Sequence, residues 1–99
     1  MKQPTISPEQ FYASADFTCH TIDDASPAVR VFGSGPNLVF IHGFPTHGYT
    51  WRKLLPVLSE SFTCHVIDLP GLGDSEWTEQ TDFSFTAQSR RLSKLFKEL

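Results

Sequence analysis

The chain has 99 residues, a hydrophobic fraction of 39% that includes nine Phe, and a formal net charge of -3. This length allows one small domain, and the apolar content is enough for a hydrophobic core, which argues against a disordered chain. The negative charge and the scattered Lys and Arg residues argue against a nucleic-acid partner and against contact with an anionic membrane.

The N-terminal segment MKQPTISPEQFYASAD is polar and contains two prolines. We interpret residues 1–16 as a lead-in with little regular structure and residues 17–99 as the domain. We expect neither a secretory signal nor a membrane span, because the N-terminal residues have no apolar core and no apolar run approaches about 18 residues. These features predict a cytoplasmic protein with no membrane partner.

Three short strands are predicted in the first half of the chain. Residues 17–22 alternate between apolar and polar side chains, and residues 29–35 form a second extended stretch after the turn cluster DDASPA. We expect these two strands to form a hairpin with a loose turn. Residues 38–41, LVFI, are apolar without alternation, which is typical of a strand that is covered on both faces in a parallel sheet.

The second half of the chain alternates helix and strand. Residues 51–58 carry an apolar stripe at helical spacing, but Pro56 removes a backbone donor, so we expect a short or kinked helix. Residues 62–68 predict another strand, and a long loop rich in Gly, Pro and Asp follows. Ser84 or Thr86 could cap the last helix. The expected apolar face of this helix is Phe85, Leu92, Leu95, Phe96 and Leu99, and the expected solvated face is Arg90, Arg91, Lys94 and Lys97.

This order of elements predicts an α/β fold, with a hairpin of two strands followed by strand, helix, strand and helix in a mainly parallel sheet. Parallel sheets bind ligands at the carboxyl ends of their strands, and the loops 42–50 and 69–81 meet that condition. In the first loop, Gly43 permits unusual backbone angles and Pro45 lacks an N–H. Free N–H groups near Phe44 could then stabilise an oxyanion. From the residues alone, a plain strand-to-helix turn is the alternative.

Other kinds of site have little support. The segment GLGDSE lacks the third glycine of a dinucleotide-binding loop, and the phosphate-binding G-x-x-x-x-G-K-[ST] pattern is absent. The four histidines show no metal-ligand spacing, so no metal is expected. Ser75 follows Asp74 outside any G-x-S-x-G motif, and we interpret this pair as closing a turn. Cys19 and Cys64 are interpreted as buried thiols in strands.

Three motifs, taken in order, resemble the N-terminal portion of the α/β-hydrolase superfamily over residues 29–99. They are HGFP at residues 42–45, the pair Trp51 and Arg52, and DLPGLGDS at residues 68–75. The H-G-x-P motif with its following Trp is most similar to the branch of epoxide hydrolases and dehalogenases. Haloalkane dehalogenases often carry Asn in place of the Phe of HGFP and use it to hold halide. Epoxide hydrolases, fluoroacetate-dehalogenase-like enzymes and some serine esterases accept Phe at this position, so the resemblance leaves these three classes open.

The resemblance also implies roles for individual residues. Phe44 would donate one backbone N–H of the oxyanion hole, and the residue after the nucleophile would donate the other. His42, Gly43 and Pro45 would shape the turn, with a cis bond before the proline. No cofactor is implied. A structural, non-catalytic turn would be formed by Asp68, Gly71, Gly73 and Ser75.

The nucleophile elbow, the acid and the catalytic His of this family have no counterpart in the 99 residues. Family topology would also leave residues 38–41 as an open sheet edge, which stable proteins avoid. We therefore expect a piece of a larger enzyme that is inactive by itself. The complete protein would hydrolyse a small organic ester, epoxide or carbon–halogen bond through a covalent intermediate. The alternative is a truncated, non-catalytic binding or regulatory module that pairs through its exposed sheet edge.

Overall fold

The computed structural model describes residues 6–99 and confirms the expected α/β fold. In chain order, the elements are α1 (Pro8–Ala13), β1 (Phe17–Cys19), β2 (Ala25–Ser26), β3 (Ala28–Phe32), β4 (Asn37–Ile41), a 3₁₀ helix (Gly48–Trp51), α2 (Leu55–Leu58), β5 (Thr63–Asp68), β6 (Glu76–Trp77) and α3 (Phe85–Phe96).

The main sheet has the strand order β1-β3-β5-β4, and β2 and β6 form a separate two-stranded ribbon. The antiparallel pairing of β1 with β3 confirms the predicted hairpin, although β2 lies inside its expected turn. β3 and β5 are also antiparallel, and only β4 and β5 are parallel. A mainly parallel sheet is therefore the wrong expectation for the described residues. The parallel pair still brings the carboxyl ends of β4 and β5, where both candidate loops begin, to one edge of the sheet.

The N-terminal segment is more regular than expected, although residues 1–5 lie outside the described residues. Ser7 accepts a hydrogen bond from the N–H of Gln10 at 3.1 Å, and the Gln10 side chain accepts one from the N–H of Ser7 at 2.9 Å. This reciprocal capping box starts α1, and Pro8 fits its first turn, where no N–H is needed. The expectation of little regular structure is therefore wrong for residues 8–13. The domain boundary at residue 17 stays a prediction.

β4 lies at the edge of the described sheet and is half exposed, so the expectation of a strand covered on both faces is wrong. Val39 and Ile41 are exposed, whereas Phe40 on the opposite face is buried. The reason is the position of the strand: β5 pairs on both sides and is buried over residues 64–68, but β4 has a single neighbour among the described residues. The open edge implied by the family resemblance is present.

The segment after the first candidate loop forms an interrupted helix, as predicted from Pro56. The 3₁₀ helix ends at Trp51, and the single turn of α2 then carries Pro56 near its start, where the missing N–H costs no helical bond. Leu55 is fully buried, whereas Leu54 on the same predicted stripe is exposed. The short helix therefore buries only part of its apolar stripe.

α3 begins at the predicted cap, because the hydroxyl of Ser84 accepts a hydrogen bond from the first turn of the helix. Its buried face differs from the predicted one. Leu95 is fully buried as expected, but Phe85 is 95% exposed and Phe96 is also exposed. Arg91, predicted to be solvated, is 2% exposed.

Arg91 is buried because tertiary partners compensate its charge. Its guanidinium donates hydrogen bonds to the Asp24 carboxylate and to the backbone carbonyl of Asp82. A charged group can be buried when an opposite charge and further acceptors replace its water. Neither partner could be identified from the periodicity of the helix.

The sheet separates two apolar clusters. Side chains alternate along β3 and β5, so neighbouring residues enter opposite clusters. Cys64 is buried in β5 as expected, whereas Cys19 is only partly buried. Across residues 6–99 no helix is long and apolar enough to cross a bilayer. The first cluster contains Tyr12, Phe32, Phe40, Leu55, Cys64 and Val66, and the second contains Ile22, Val29, Ile67 and Leu95.

Candidate active site

Residues 43–46 form a β-turn at the carboxyl end of β4. The N–H of Thr46 donates to the carbonyl oxygen of Gly43 at 3.0 Å, and the Phe44–Pro45 bond inside the turn is cis, as the resemblance implies. The same carbonyl oxygen accepts hydrogen bonds from the Thr46 hydroxyl at 2.7 Å and from His42 Nδ1 at 2.8 Å. Three donors therefore hold this one oxygen in place.

These bonds set the direction of the Phe44 N–H. The Gly43 carbonyl and the Phe44 N–H belong to one planar trans peptide group, in which C=O and N–H point in opposite directions. The N–H therefore points away from the groups that hold the carbonyl. Within residues 6–99 this N–H donates no hydrogen bond. A backbone donor with a fixed direction is suited to bind an oxygen that becomes negative during a reaction.

His42 connects this turn to the loop after β5. Its ring is buried, and its Nε2 accepts a hydrogen bond from the backbone N–H of Leu69 at 3.0 Å. The accepting nitrogen carries no proton, so the proton lies on Nδ1, which donates it to the Gly43 carbonyl. One neutral imidazole thus joins the two loops at the carboxyl ends of neighbouring strands.

Gly43 does not supply the unusual backbone angles that we expected of it. Its φ lies outside the left-handed region, and a Cβ atom added to it would meet no described atom within 4 Å outside residues 42–44. That expectation is therefore wrong, since other residues could adopt the same conformation. Instead, the missing side chain leaves open space next to the Phe44 N–H.

Asp68, at the end of β5, supports the second loop. Its carboxylate is buried, with one oxygen accepting from the N–H of Gly48 at 2.6 Å and the other from the N–H of Asp74 at 2.9 Å. The Arg30 guanidinium lies 3.9 Å from the second oxygen and 3.0 Å from the Asp74 carboxylate. Two backbone donors and a cation therefore compensate the buried charge.

Two glycines allow these short contacts with the Asp68 carboxylate. Gly73 has a φ of +56°, and a Cβ on it would lie 2.3 Å from Asp68 Oδ2. A Cβ on Gly48 would lie 2.6 Å from Val66 Cγ1 and 2.9 Å from Asp68 Oδ1. A side chain at either position would displace the carboxylate, so glycine is required at both.

The Ser75 hydroxyl is used inside its own turn. Its single proton is shared between the carbonyl oxygens of Leu69 at 2.9 Å and Leu72 at 2.6 Å, and its oxygen accepts from the Leu72 N–H at 3.3 Å. These bonds agree with the interpretation of this serine as a turn-closing residue.

Arg30 also attaches α1 to the sheet. It donates to the Tyr12 hydroxyl at 3.2 Å and to the Ala15 carbonyl at 3.2 Å. Burial, assisted by the negative charge of Asp68, raises the pKa of Tyr12 to about 12. The N-terminal helix therefore packs against the same guanidinium that faces Asp68.

Two residues that support this site, Thr46 and Arg30, belong to none of the sequence motifs. A hydroxyl residue three positions after Gly43 is a recognisable turn signal and could have indicated the bond of Thr46 to the Gly43 carbonyl. Arg30 gives no such signal, because Asp68 and Asp74 are far from it in the chain and only the strand order brings them together.

Residues 36–99 match the family model described as the alpha/beta hydrolase fold. The chain belongs to this family. It is 32% identical over 73 residues to a pimeloyl-[acyl-carrier protein] methyl ester esterase of Aeromonas hydrophila. The aligned residues cover 74% of this chain and 29% of the esterase. It is also 54% identical over 44 residues to a soluble epoxide hydrolase of Corynebacterium sp. strain C12. This second alignment covers 44% of this chain and 15% of the epoxide hydrolase.

A solved structure of similar fold is a haloalkane dehalogenase loop variant from Bradyrhizobium elkanii, with a TM-score of 0.77 and 28% identity. That similarity covers 85% of this chain and 28% of the dehalogenase. These findings confirm the family expected from the three motifs. The chain spans less than a third of the length of each of these relatives.

Proposed function

We propose that the whole protein containing this chain hydrolyses a small organic ester, epoxide or carbon–halogen bond through a covalent enzyme intermediate. Membership of the α/β-hydrolase fold family supports the proposal, as do relatives named as an esterase, an epoxide hydrolase and a haloalkane dehalogenase. The observation that carries it is the Phe44 N–H, whose direction is fixed through the Gly43 carbonyl. A small-molecule substrate is the proposed partner, no cofactor is proposed, and the cytoplasmic location stays a prediction.

In this proposal an ester reacts in two steps. A nucleophile adds to the carbonyl carbon, the carbonyl oxygen becomes negative, and the Phe44 N–H donates a hydrogen bond to that oxygen. The alcohol leaves, and water then releases the acid from the covalent intermediate. His42 and Thr46 keep the donor in position beforehand, so no reorganisation is needed during the reaction. The open space at Gly43 gives the substrate access to the donor.

The nucleophile must come from another part of the protein, because these 99 residues contain no G-x-S-x-G or G-x-D-x-G elbow. We expect no turnover of p-nitrophenyl esters by the 99-residue chain alone. The decisive observation is the reading frame after codon 99. A strand followed within about 15 residues by one of these elbows would support the proposal and identify the nucleophile as Ser or Asp. A stop codon at that point would contradict it.

A pair of substitutions tests the backbone donor in the whole protein. Phe44→Pro removes the N–H, and we expect kcat for p-nitrophenyl acetate or styrene oxide to fall about 100-fold. Phe44→Ala is the matched control, because it removes the ring and keeps the N–H, so kcat should change little. Circular dichroism shows whether each variant is folded. Equal kcat losses in two folded variants would exclude the backbone donor.

A second candidate function rests on the open edge of β4, whose Val39 and Ile41 side chains are exposed. An unpaired edge strand can add a strand of another chain. The chain would then act as a non-catalytic binding or regulatory module. Size-exclusion chromatography tests this candidate: a defined monomer or dimer would favour it, and aggregation would contradict it.

A further inference from the structure

Three exposed aromatic side chains line one cleft next to the candidate oxyanion donor. The cleft has a volume of about 340 Å³, and its aromatic walls are Phe44, Trp77 and Phe83. Their exposed fractions are 88%, 54% and 48%. Leu72 adds an aliphatic wall, and the polar side chain in the lining is Gln88. We name this space the aromatic cleft.

The shape of the cleft depends on contacts between its own walls. The rings of Trp77 and Phe83 meet edge to face, with centroids 5.8 Å apart and an interplanar angle of 74°. Phe83 also lies against Gly71, where an added Cβ would come within 2.9 Å of the ring. Gly71 has a φ of +90°, so both its backbone conformation and the space beside it require glycine. The aromatic pair is therefore held against the loop that follows β5.

The polar groups of Gln88 already have partners. Its amide nitrogen donates to the carbonyl of Pro70 at 3.4 Å, and its amide oxygen accepts from Arg91 at 2.9 Å. Among residues 6–99, no charged side chain lines the cleft. A ligand that fits these walls is therefore uncharged and largely apolar, and the volume lies at the lower end of the range for small-molecule sites.

We propose that the aromatic cleft binds the apolar organic group of the substrate, with preference for a single aromatic ring over a methyl group. This inference rests on the proposed function, because Phe44 contributes its side chain to the cleft and its backbone N–H to the candidate oxyanion site. Because Phe44 belongs to both, a ring bound in the cleft would lie against the residue whose N–H is the candidate donor. The cleft would thus select substrates by the group next to the reacting carbon.

Binding of two unreactive amides to the 99-residue chain tests this inference. Phenylacetamide carries the ring, and acetamide is the matched probe without it. In proton–nitrogen NMR spectra we expect phenylacetamide to shift the indole N–H of Trp77 and the backbone N–H of Phe44. Acetamide should leave the Trp77 signal unchanged, and the indole N–H of Trp51 serves as an internal reference outside the cleft. No saturable shift at Trp77 would overturn the proposal.

Two substitutions locate the binding site. Phe83→Ala removes one wall, and we expect about tenfold weaker binding of phenylacetamide. Phe85→Ala is the matched control, because Phe85 is almost fully exposed and does not line the cleft, so affinity should not change. Phe83→Leu keeps apolar bulk and gives a second readout if the alanine variant is unfolded. Equal affinities for all three variants would overturn the proposal.

Kinetics of the whole protein separate this inference from the proposed function. If the proposed function fails, neither phenyl-bearing nor methyl-bearing esters are hydrolysed, while phenylacetamide still binds at Trp77. If only the cleft inference fails, esters are hydrolysed but Phe83→Ala leaves the preference between the two unchanged. We expect Phe83→Ala to reduce that preference about tenfold through KM. A whole-protein spectrum in which phenylacetamide no longer reaches Trp77 would show that another segment fills the cleft, and this would also overturn the inference.

Discussion

The two loops at the carboxyl ends of β4 and β5 are adjacent in space but are held in different ways. In the loop after β4, the turn at residues 43–46 is held through one carbonyl oxygen, that of Gly43, and it leaves the Phe44 side chain 88% exposed. The loop after β5 is held through a buried carboxylate, that of Asp68, and by glycines without room for a Cβ. The first loop presents a donor, and the second loop supports it. His42 joins the two through its ring nitrogens.

The largest expected effect comes from removing the carboxylate that holds the second loop. Asp68→Ala leaves the buried N–H of Gly48, the partly buried N–H of Asp74 and the Arg30 guanidinium without their acceptor, so we expect a loss of about 3–5 kcal/mol in the free energy of unfolding. Urea denaturation measures this loss. Asp68→Asn keeps one acceptor oxygen and the size of the side chain, and its loss should be smaller. A loss below about 1 kcal/mol for the alanine variant would show that Asp68 does not support the loop.

A matched pair of glycine substitutions compares the two loops directly. Gly73→Ala places a Cβ in a left-handed conformation and against Asp68, so we expect a loss of about 2 kcal/mol or more. Gly43→Ala meets open space and no positive φ, so its stability should change by less than about 0.5 kcal/mol.

The effects of these two substitutions on activity should have the opposite order from their effects on stability. In the whole protein, Gly43→Ala fills the space beside the proposed donor and should reduce kcat/KM despite normal stability. Equal losses of stability for Gly43→Ala and Gly73→Ala in thermal denaturation would show that the two loops are held in the same way.

A smaller effect is expected from the hydroxyl that holds the first loop. Thr46→Val removes one of the three donors to the Gly43 carbonyl, and we expect a stability loss of about 1 kcal/mol. Thr46→Ser keeps the hydroxyl and should lose less. The NMR signal of the Phe44 N–H should move in the valine variant and not in the serine variant, because only the first frees the peptide group. A Phe44 signal that is the same in both variants would show that this hydroxyl does not orient the donor.

The smallest expected effect concerns the strand pair beneath both loops. His65 Nε2 in β5 is hydrogen-bonded to Asn37 Oδ1 in β4 at 2.9 Å. Burial lowers the pKa of His65 below its usual value of 6.5. The unfolded chain therefore binds this proton more readily than the folded chain, so the contribution of His65 to stability is fully present above about pH 6.5 and is lost as the pH decreases. Urea denaturation at pH 7 and pH 5 measures the change.

His65→Gln should show a smaller loss between these pH values than the unaltered chain. His47→Gln is the control, because His47 is exposed on the first loop. An unchanged pH dependence in the His65 variant would place the acid-sensitive group elsewhere. If hydrogen exchange shows that both loops loosen together at low pH, the β4–β5 pair is the support that they share.

The fold was predictable wherever local signals were strong. The hairpin, the strands around residues 38–41 and 62–68, the interrupted helix at Pro56 and the cap at Ser84 all follow from periodicity, turn residues and capping. The helix at residues 8–13 was missed because a six-residue helix depends on its cap and on the packing of Tyr12 more than on periodicity. Burial was the least predictable property, because Arg91 is buried against Asp24, which is distant in sequence, while Phe85 is exposed on the face expected to be apolar.

In the candidate site, too, local sequence features were predictable and tertiary contacts were not. The motif HGFP identified the loop, and the family resemblance identified Phe44 within it. The reason expected for Gly43 was wrong, because the sequence cannot distinguish a glycine needed for its φ from a glycine that leaves open space. The contact of Asp68 with Gly48 could not be predicted, because the two residues meet only when the 3₁₀ helix packs beside β5.

The sequence by itself determined the family, the longer helices and strands after residue 17, and the two loops that carry the candidate site. These properties depend on residues that are close together in the chain, through helix and strand propensity, hydrophobic periodicity and short motifs. Only the tertiary structure decided which way the Phe44 N–H points, which glycines have no room for a side chain, and which aromatic rings share a cleft. Those properties depend on contacts between residues that are far apart in the chain, and the strand order that brings them together is a property of the packed sheet.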